Sequence, residues 1–213
     1  LAFLNCPSDG NTPDPTVDST SYPNNLGTSR VIPGTSTLGP LDGPAYKMGQ
    51  APENGTVSLA TITDGTSNTA IFSEWIKGTN ANAINTSRRS LDQVCTGPSE
   101  TPHNGLPTYR QACLASTTLN YSGKGVDWVN DKVSNGGGYS HIMTPNSQAC
   151  LFSTGSSSST DNSMIGASSY HSGGVNVAFL DGSVHFIKNT INPVTWWAIA
   201  TKAGGEVISA DQL

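Results

Sequence analysis

The feature that most constrains this chain is the stretch from Val175 to Lys188, two runs of alternating apolar and polar residues joined at Asp181-Gly182. Asp-Gly accepts the positive φ angles of a type I′ turn, so the stretch predicts a two-residue β-hairpin between twisted strands. With Leu180 opposite Ser183, Phe179 faces Val184, Val177 faces Phe186 and Val175 faces Lys188. Val175, Val177, Phe179, Val184 and Phe186 then share the side expected to pack on the core, and His185 lies on the other side beside Ala178. A short helix is predicted next. Asn192-Pro193 reads as an N-cap with proline at the first helical position, and Val194, Trp197, Ala198 and Thr201 recur at i, i+3, i+4, i+7 before Lys202 and Gly204-Gly205. Trp196 and Trp197 point about 100° apart, so only one can occupy the centre of the buried face.

Upstream, Thr63-Asp64-Gly65-Thr66 reads as a turn leading into a strand at residues 70–76 that Gly78 ends, and a short helix is plausible around Tyr109 to Ser116. From Leu1 to Gln50 the sequence is turn chemistry, with Pro7, Pro13, Pro15, Pro23, Pro33, Pro40 and Pro44 leaving little room for regular structure. The polar run 155–160 reads as an exposed loop. The expectation is an α+β, β-rich fold with an antiparallel sheet, long loops and a short C-terminal helix. It would form one domain over residues 1–213, with 1–50 an extended segment packed on it.

Charge narrows the partners. The chain has 10 Lys+Arg against 15 Asp+Glu, a net charge of −5, and 12% charged residues where about 25% is usual. Phosphate backbones and anionic lipid would be repelled, so neither nucleic acid nor a membrane surface is expected as a partner. No apolar run approaches the ~20 residues of a membrane span. The chain starts at Leu1 without methionine or a signal-peptide pattern, which suggests a processed or truncated product. Roughly a quarter of it is Ser or Thr, and its four cysteines, Cys6, Cys95, Cys113 and Cys150, show no C-x-x-C spacing. Two disulfides in an oxidising exterior are the economical reading, with three connectivities open. Cys95 with Cys113 would tie down the loop between them, and Cys6 with Cys150 would fasten the N-terminal segment.

No G-x-S-x-G elbow, H-E-x-x-H helix, P-loop or G-x-G-x-x-G is present. His171, Asp181 and the many serines could be drawn as a hydrolase triad. The intervening strand, at ~3.3 Å per residue, sets His171 and Asp181 on the order of 20 Å apart, too far for a hydrogen bond. His171 reads as a strand-entry residue bonding to backbone and Asp181 as a turn former. His103, His141, His171 and His185 lack the spacing of a zinc site, and His103 and His141 are placed in loops. Asp9, Asn11, Asp14 and Asp18 offer hard oxygen donors, a weak case for calcium against ordinary Asx turns, since EF-hand spacing is not met. No cofactor or catalytic residue is assigned. Asn54-Gly55-Thr56, Asn85-Thr86-Ser87 and Asn120-Tyr121-Ser122 fit the N-glycosylation pattern but arise readily by chance in such a composition.

The nine residues between His171 and Asp181-Gly182 resemble the H-x9-DG signature of the DUF1559 family, pilin-like proteins of planctomycete-type bacteria. Further matches are Cys6-Pro7-Ser8-Asp9, the run Ile62 to Thr69 containing Asp64, Gly65 and Asn68, Glu74 downstream, Thr144-Pro145-Asn146 before Cys150, and Trp197 with Gly204-Gly205-Glu206-Val207. The resemblance implies an exported, surface-associated protein of type II pseudopilin-like build, a long N-terminal helix followed by a β-rich head. The given chain starts just before the Cys-Pro-Ser-Asp motif, without that helix. The resemblance carries no catalytic role, so its motif residues are expected to be fold determinants.

The leading expectation is a non-catalytic extracellular or cell-surface structural protein, a subunit of or decoration on a filament that associates with its own copies. Loops and exposed aromatics such as Trp75, Trp128 or Trp196 would make the contacts. The alternative is a module binding extracellular polysaccharide or another solute on aromatic platforms. A hydrolase would require a concave site with a buried, pKa-shifted acid or histidine.

Overall fold

The hairpin forms, one residue out of the predicted register. In the computed structural model β5 (Gly174–Phe179) pairs antiparallel with β6 (Val184–Lys188), with Ala178 opposite Val184, Val177 opposite His185 and Val175 opposite Ile187. Phe179 N–H donates to Ser183 O and Gly182 N–H to Phe179 O, so the loop holds three residues, Leu180 to Gly182. Gly182 takes the positive φ of 88° that closes such a loop with a bulge. Leu180 is drawn into the turn because its N–H donates to Thr69 O and that of Asp181 to Thr66 O, contacts outside the hairpin. A slip of one flips every side chain of one strand. Val184 and Phe186 therefore face solvent, and His185 lies against the edge of Phe179, on the side of Val177.

The structure describes residues 1–28, 41–45, 57–79, 91–99, 105–121, 123–130, 133–153 and 163–209. Pro33, Pro40, the acceptor patterns at Asn54 and Asn85, Ser122 of the third pattern, His103 and the run 155–160 lie outside them.

β1 (Ala70–Ser73) pairs antiparallel with β5 and completes a sheet of order β1-β5-β6. A bulge between Ala70 and Phe72 leaves Phe72 opposite Ala178. The second sheet has order β3-β2-β4, with β2 at Val94–Thr96, β3 at Leu119–Tyr121 and β4 at Ala149–Leu151. It is mixed, since β2 runs antiparallel to β3 and parallel to β4. α1 (Leu106–Ala115) overlaps the predicted helix and begins three residues earlier, and α2 is Pro193–Ala198. The expected α+β, β-rich class and short C-terminal helix are observed.

The main core joins Val175, Val177, Phe179 and Ile187 of the first sheet to Trp75, Tyr139, Ile165, Trp196 and Ile199. Each large apolar side chain so buried is worth about 1.5–3 kcal/mol. Asn192 caps α2 by accepting from Val194 N–H, as predicted. The buried face is Thr195, Trp196 and Ala198, however, while Val194 is exposed. Trp196 takes the centre because its indole N–H donates to Met143 O and its ring stacks on His141, 3.9 Å between centroids. His141 sits in a loop but is fully buried. Its Nδ1 meets Trp196 O and must donate, which leaves Nε2 to accept from the Tyr139 hydroxyl at 2.9 Å. Burial lowers its pKa to about 3 and raises that of Tyr139.

The turn-rich N-terminal segment is fastened by side chains. Asn25 is buried and donates to Ala70 O and Ala200 O while accepting from Gly27 N–H, tying the segment to β1 and to the end of α2. Trp75 donates its indole N–H to Thr20 O. Trp75 and Trp196 are thus core residues, and the contact role expected of them is corrected; Trp128 is exposed. The cysteine pairing is corrected too. Cys113 of α1 bonds to Cys150 of β4, and Cys6 and Cys95 are buried thiols. Cys95 lies in register beside Cys150, but α1 brings Cys113 over the same strand.

Candidate functional site

β5 separates His171 from Asp181-Gly182. At one end Asp181 accepts from Ser183 N–H and Oγ–H, which holds its carboxyl below the usual range and makes it a turn residue. The Asp64 turn lies at the same end. Asn68 donates to Asp64 O, Gly65 has a φ of 93°, and the Asp64 carboxylate accepts from Thr201 Oγ and the N–H groups of Gly204 and Gly205. Asp64, Gly65, Asn68, Asp181 and Gly182 are thus built into the turns at this end of the sheet.

At the other end of β5 four motif residues converge. Pro7 and Ser8 form a turn closed by Asp9 N–H donating to Cys6 O. The Asp9 carboxylate is buried and accepts from Lys77 N–H at 2.8 Å and Asn11 N–H at 3.1 Å. Asn11 donates back to Lys77 O, and Lys77 Nζ donates to Asn5. These bonds seat Cys6 over the residue that follows β1, Glu74. That carboxylate is also buried, and Asn176 of β5 donates to both oxygens, from N–H at 2.9 Å and from Nδ2 at 3.0 Å. His171 enters from the turn before β5. Its N–H donates to Ser169 Oγ, and Asn146, at a φ of 56°, accepts from Ser169 N–H and donates to Asn189.

His171 Nε2 lies 3.2 Å from Glu74 Oε1 and 4.0 Å from Cys6 Sγ. Ser8 Oγ is 3.0 Å from the same sulfur. Burial raises the Tyr22 pKa, with Cys6 and Glu74 adding to the effect. Burial lowers that of Lys77, which Asp9 and Cys6 pull back, and brings Lys124 down to about 8. His171 is thus more than the backbone-bonding strand-entry residue of the sequence reading. Tyr22 and Asn176 carried no local signal and were missed.

A Cys-His-Glu relay does not fit the geometry. In a relay the acid holds one ring nitrogen while the other faces the nucleophile. Here Glu74 and Cys6 both approach Nε2, so the nitrogen bonded to the carboxylate is the one that would have to take the thiol proton.

The oxygen donors Asp9, Asp14 and Asp18 make bonds within the chain. Asp9 and Asp14 accept from the N–H groups of Asn11 and Thr16, and Asp18 accepts from the Leu1 amine. Among the described residues, the grouping of three donor side chains close enough to share an ion is Cys6, Glu74 and His171.

Comparison with known proteins gives one result. A family model described as a protein of unknown function, DUF1559, matches residues 1–194. Neither the curated proteins nor the solved structures include a significant match. Since the match takes in both sheets, the hairpin and all four converging residues, the chain belongs to the DUF1559 family.

Proposed function

We propose that this protein is a structural subunit of an extracellular or cell-surface assembly, acting by contact between its own copies and not by catalysis. One observation carries the reading. On the outer face of the first sheet Phe72 of β1 and Val184 and Phe186 of β6 stand on the two strands that flank β5, 45%, 63% and 45% exposed. They are held by a paired sheet backed by the main core, so little order is lost when a partner covers them. With 12% charged residues overall, like-charge repulsion between copies is small.

A polysaccharide platform is less well supported. Of the four tryptophans, Trp75 and Trp196 are buried with their indole N–H groups bonded to Thr20 O and Met143 O, which takes them from any aromatic platform.

Sedimentation velocity across a concentration series, with electron microscopy of the same samples, tests the proposal. The expected result is concentration-dependent association that Phe186→Glu abolishes without lowering Tm by more than a few degrees. A wild-type chain that stays monomeric at the highest concentration refutes it.

A further inference from the structure

Three donors of different chemistry meet at one point beside β5. The ligand atoms of Cys6, Glu74 and His171 all lie within 4.8 Å of one another. Around a tetrahedral zinc ion, bonds of about 2.3 Å to sulfur and about 2.0 Å to nitrogen or oxygen set neighbouring ligand atoms about 3.3–3.6 Å apart. The separations of 3.2 Å for His171 to Glu74 and 4.0 Å for His171 to Cys6 fall within about half an ångström of that range. The shared approach to Nε2, which spoils a relay, is what a common ligation point requires.

The surroundings support the same reading. Asn176 fixes both oxygens of Glu74, and the Ser169 and Asn146 bonds orient the turn that carries His171, as partners of metal ligands do. Cys6 and Glu74 are buried, and His171 is partly exposed, which leaves an entry path. A thiolate and a carboxylate would together cancel the charge of a divalent ion, so the buried unit would be neutral. Sulfur and imidazole select a borderline-soft metal over calcium or magnesium.

We propose that Cys6, Glu74 and His171 bind a divalent transition metal of the zinc class, clamping the N-terminal segment to the first sheet. Three protein ligands leave a fourth position for water. Binding exchanges the Cys6 thiol proton for the metal, so one proton is released per ion and acid weakens the site.

Chelator-treated chain, kept under anaerobic conditions with the Cys113–Cys150 bond intact and titrated with cobalt(II), tests this. The expected result is saturation at one equivalent, with a sulfur-to-cobalt charge-transfer band that zinc(II) displaces. Cys6→Ser abolishes the band, Glu74→Gln and His171→Gln weaken binding at least tenfold, and Cys95→Ser leaves it unchanged. Zinc also slows proteolysis of the segment before Thr28 in the wild type and not in His171→Gln, a variant at a partly exposed side chain. No charge-transfer band, a band that survives Cys6→Ser, or cobalt bound without thiolate character each overturns the proposal.

Discussion

The second sheet and the N-terminal segment solve the same problem in opposite ways. Around the second sheet, α1 and β4 are joined by the Cys113–Cys150 bond, beside Tyr109, Ile142 and Met143. The N-terminal segment has no covalent tie to the first sheet; Asp9, Asn11, Asn25 and the Cys6 cluster hold it through hydrogen bonds. A cross-link acts chiefly by limiting the unfolded chain, whereas buried hydrogen bonds act only in the folded state. The first region should therefore respond to reductant, and the second to loss of a carboxylate and to metal.

The largest expected effect tests whether the two regions unfold together. His141 stacks on Trp196 in the main core and is held neutral, its pKa lowered from 6.5 to about 3. The unfolded chain binds a proton there and the folded chain does not, so stability falls as pH drops from 6.5 towards 3. The loss is on the order of 5 kcal/mol at most. Denaturant melts at pH 7, 5 and 4 should show His141→Gln losing less than wild type, with the same midpoint for reporters in both regions.

Next in size, Cys113→Ala removes a link across 37 residues and should cost about 4 kcal/mol by chain entropy. The second sheet should then lose hydrogen-exchange protection before the first. Asp9→Ala orphans the buried N–H of Lys77 and should cost about 1–3 kcal/mol. Its readout is faster proteolysis of the N-terminal segment while the second sheet stays protected. Smallest is Cys6→Ser in chelator, expected below about 1 kcal/mol because the swap is nearly isosteric. A loss above 2 kcal/mol in metal-free protein would show that Cys6 acts by packing and would dissolve the contrast.

Local patterns were legible and long-range ones were not. The hairpin, β1, α1 and the cap of α2 follow from short-range chemistry, and the structure contains them. The hairpin register failed because Asp-Gly serves two-residue and three-residue loops alike, and the choice rests on Thr66 and Thr69, over a hundred positions away. That one-residue difference moves Val184 and Phe186 from core to surface, and with them the contact face. Pairing of four cysteines cannot be read from spacing, and Cys6 and His171, 165 positions apart, could be named as motif residues but not brought together. His141 is the loop histidine the sequence suggests, but no periodicity marks a residue buried by a neighbouring helix.

β5 also behaves as a ruler. Its six residues hold the His171 turn at one end and the Asp181-Gly182 turn at the other, each docked on groups that do not move with it. One inserted residue would turn half the strand inside out, and two would restore the faces but displace one turn by about 7 Å. Length changes should thus accumulate in the loops and spare this strand, whatever the side chains on its outer face become.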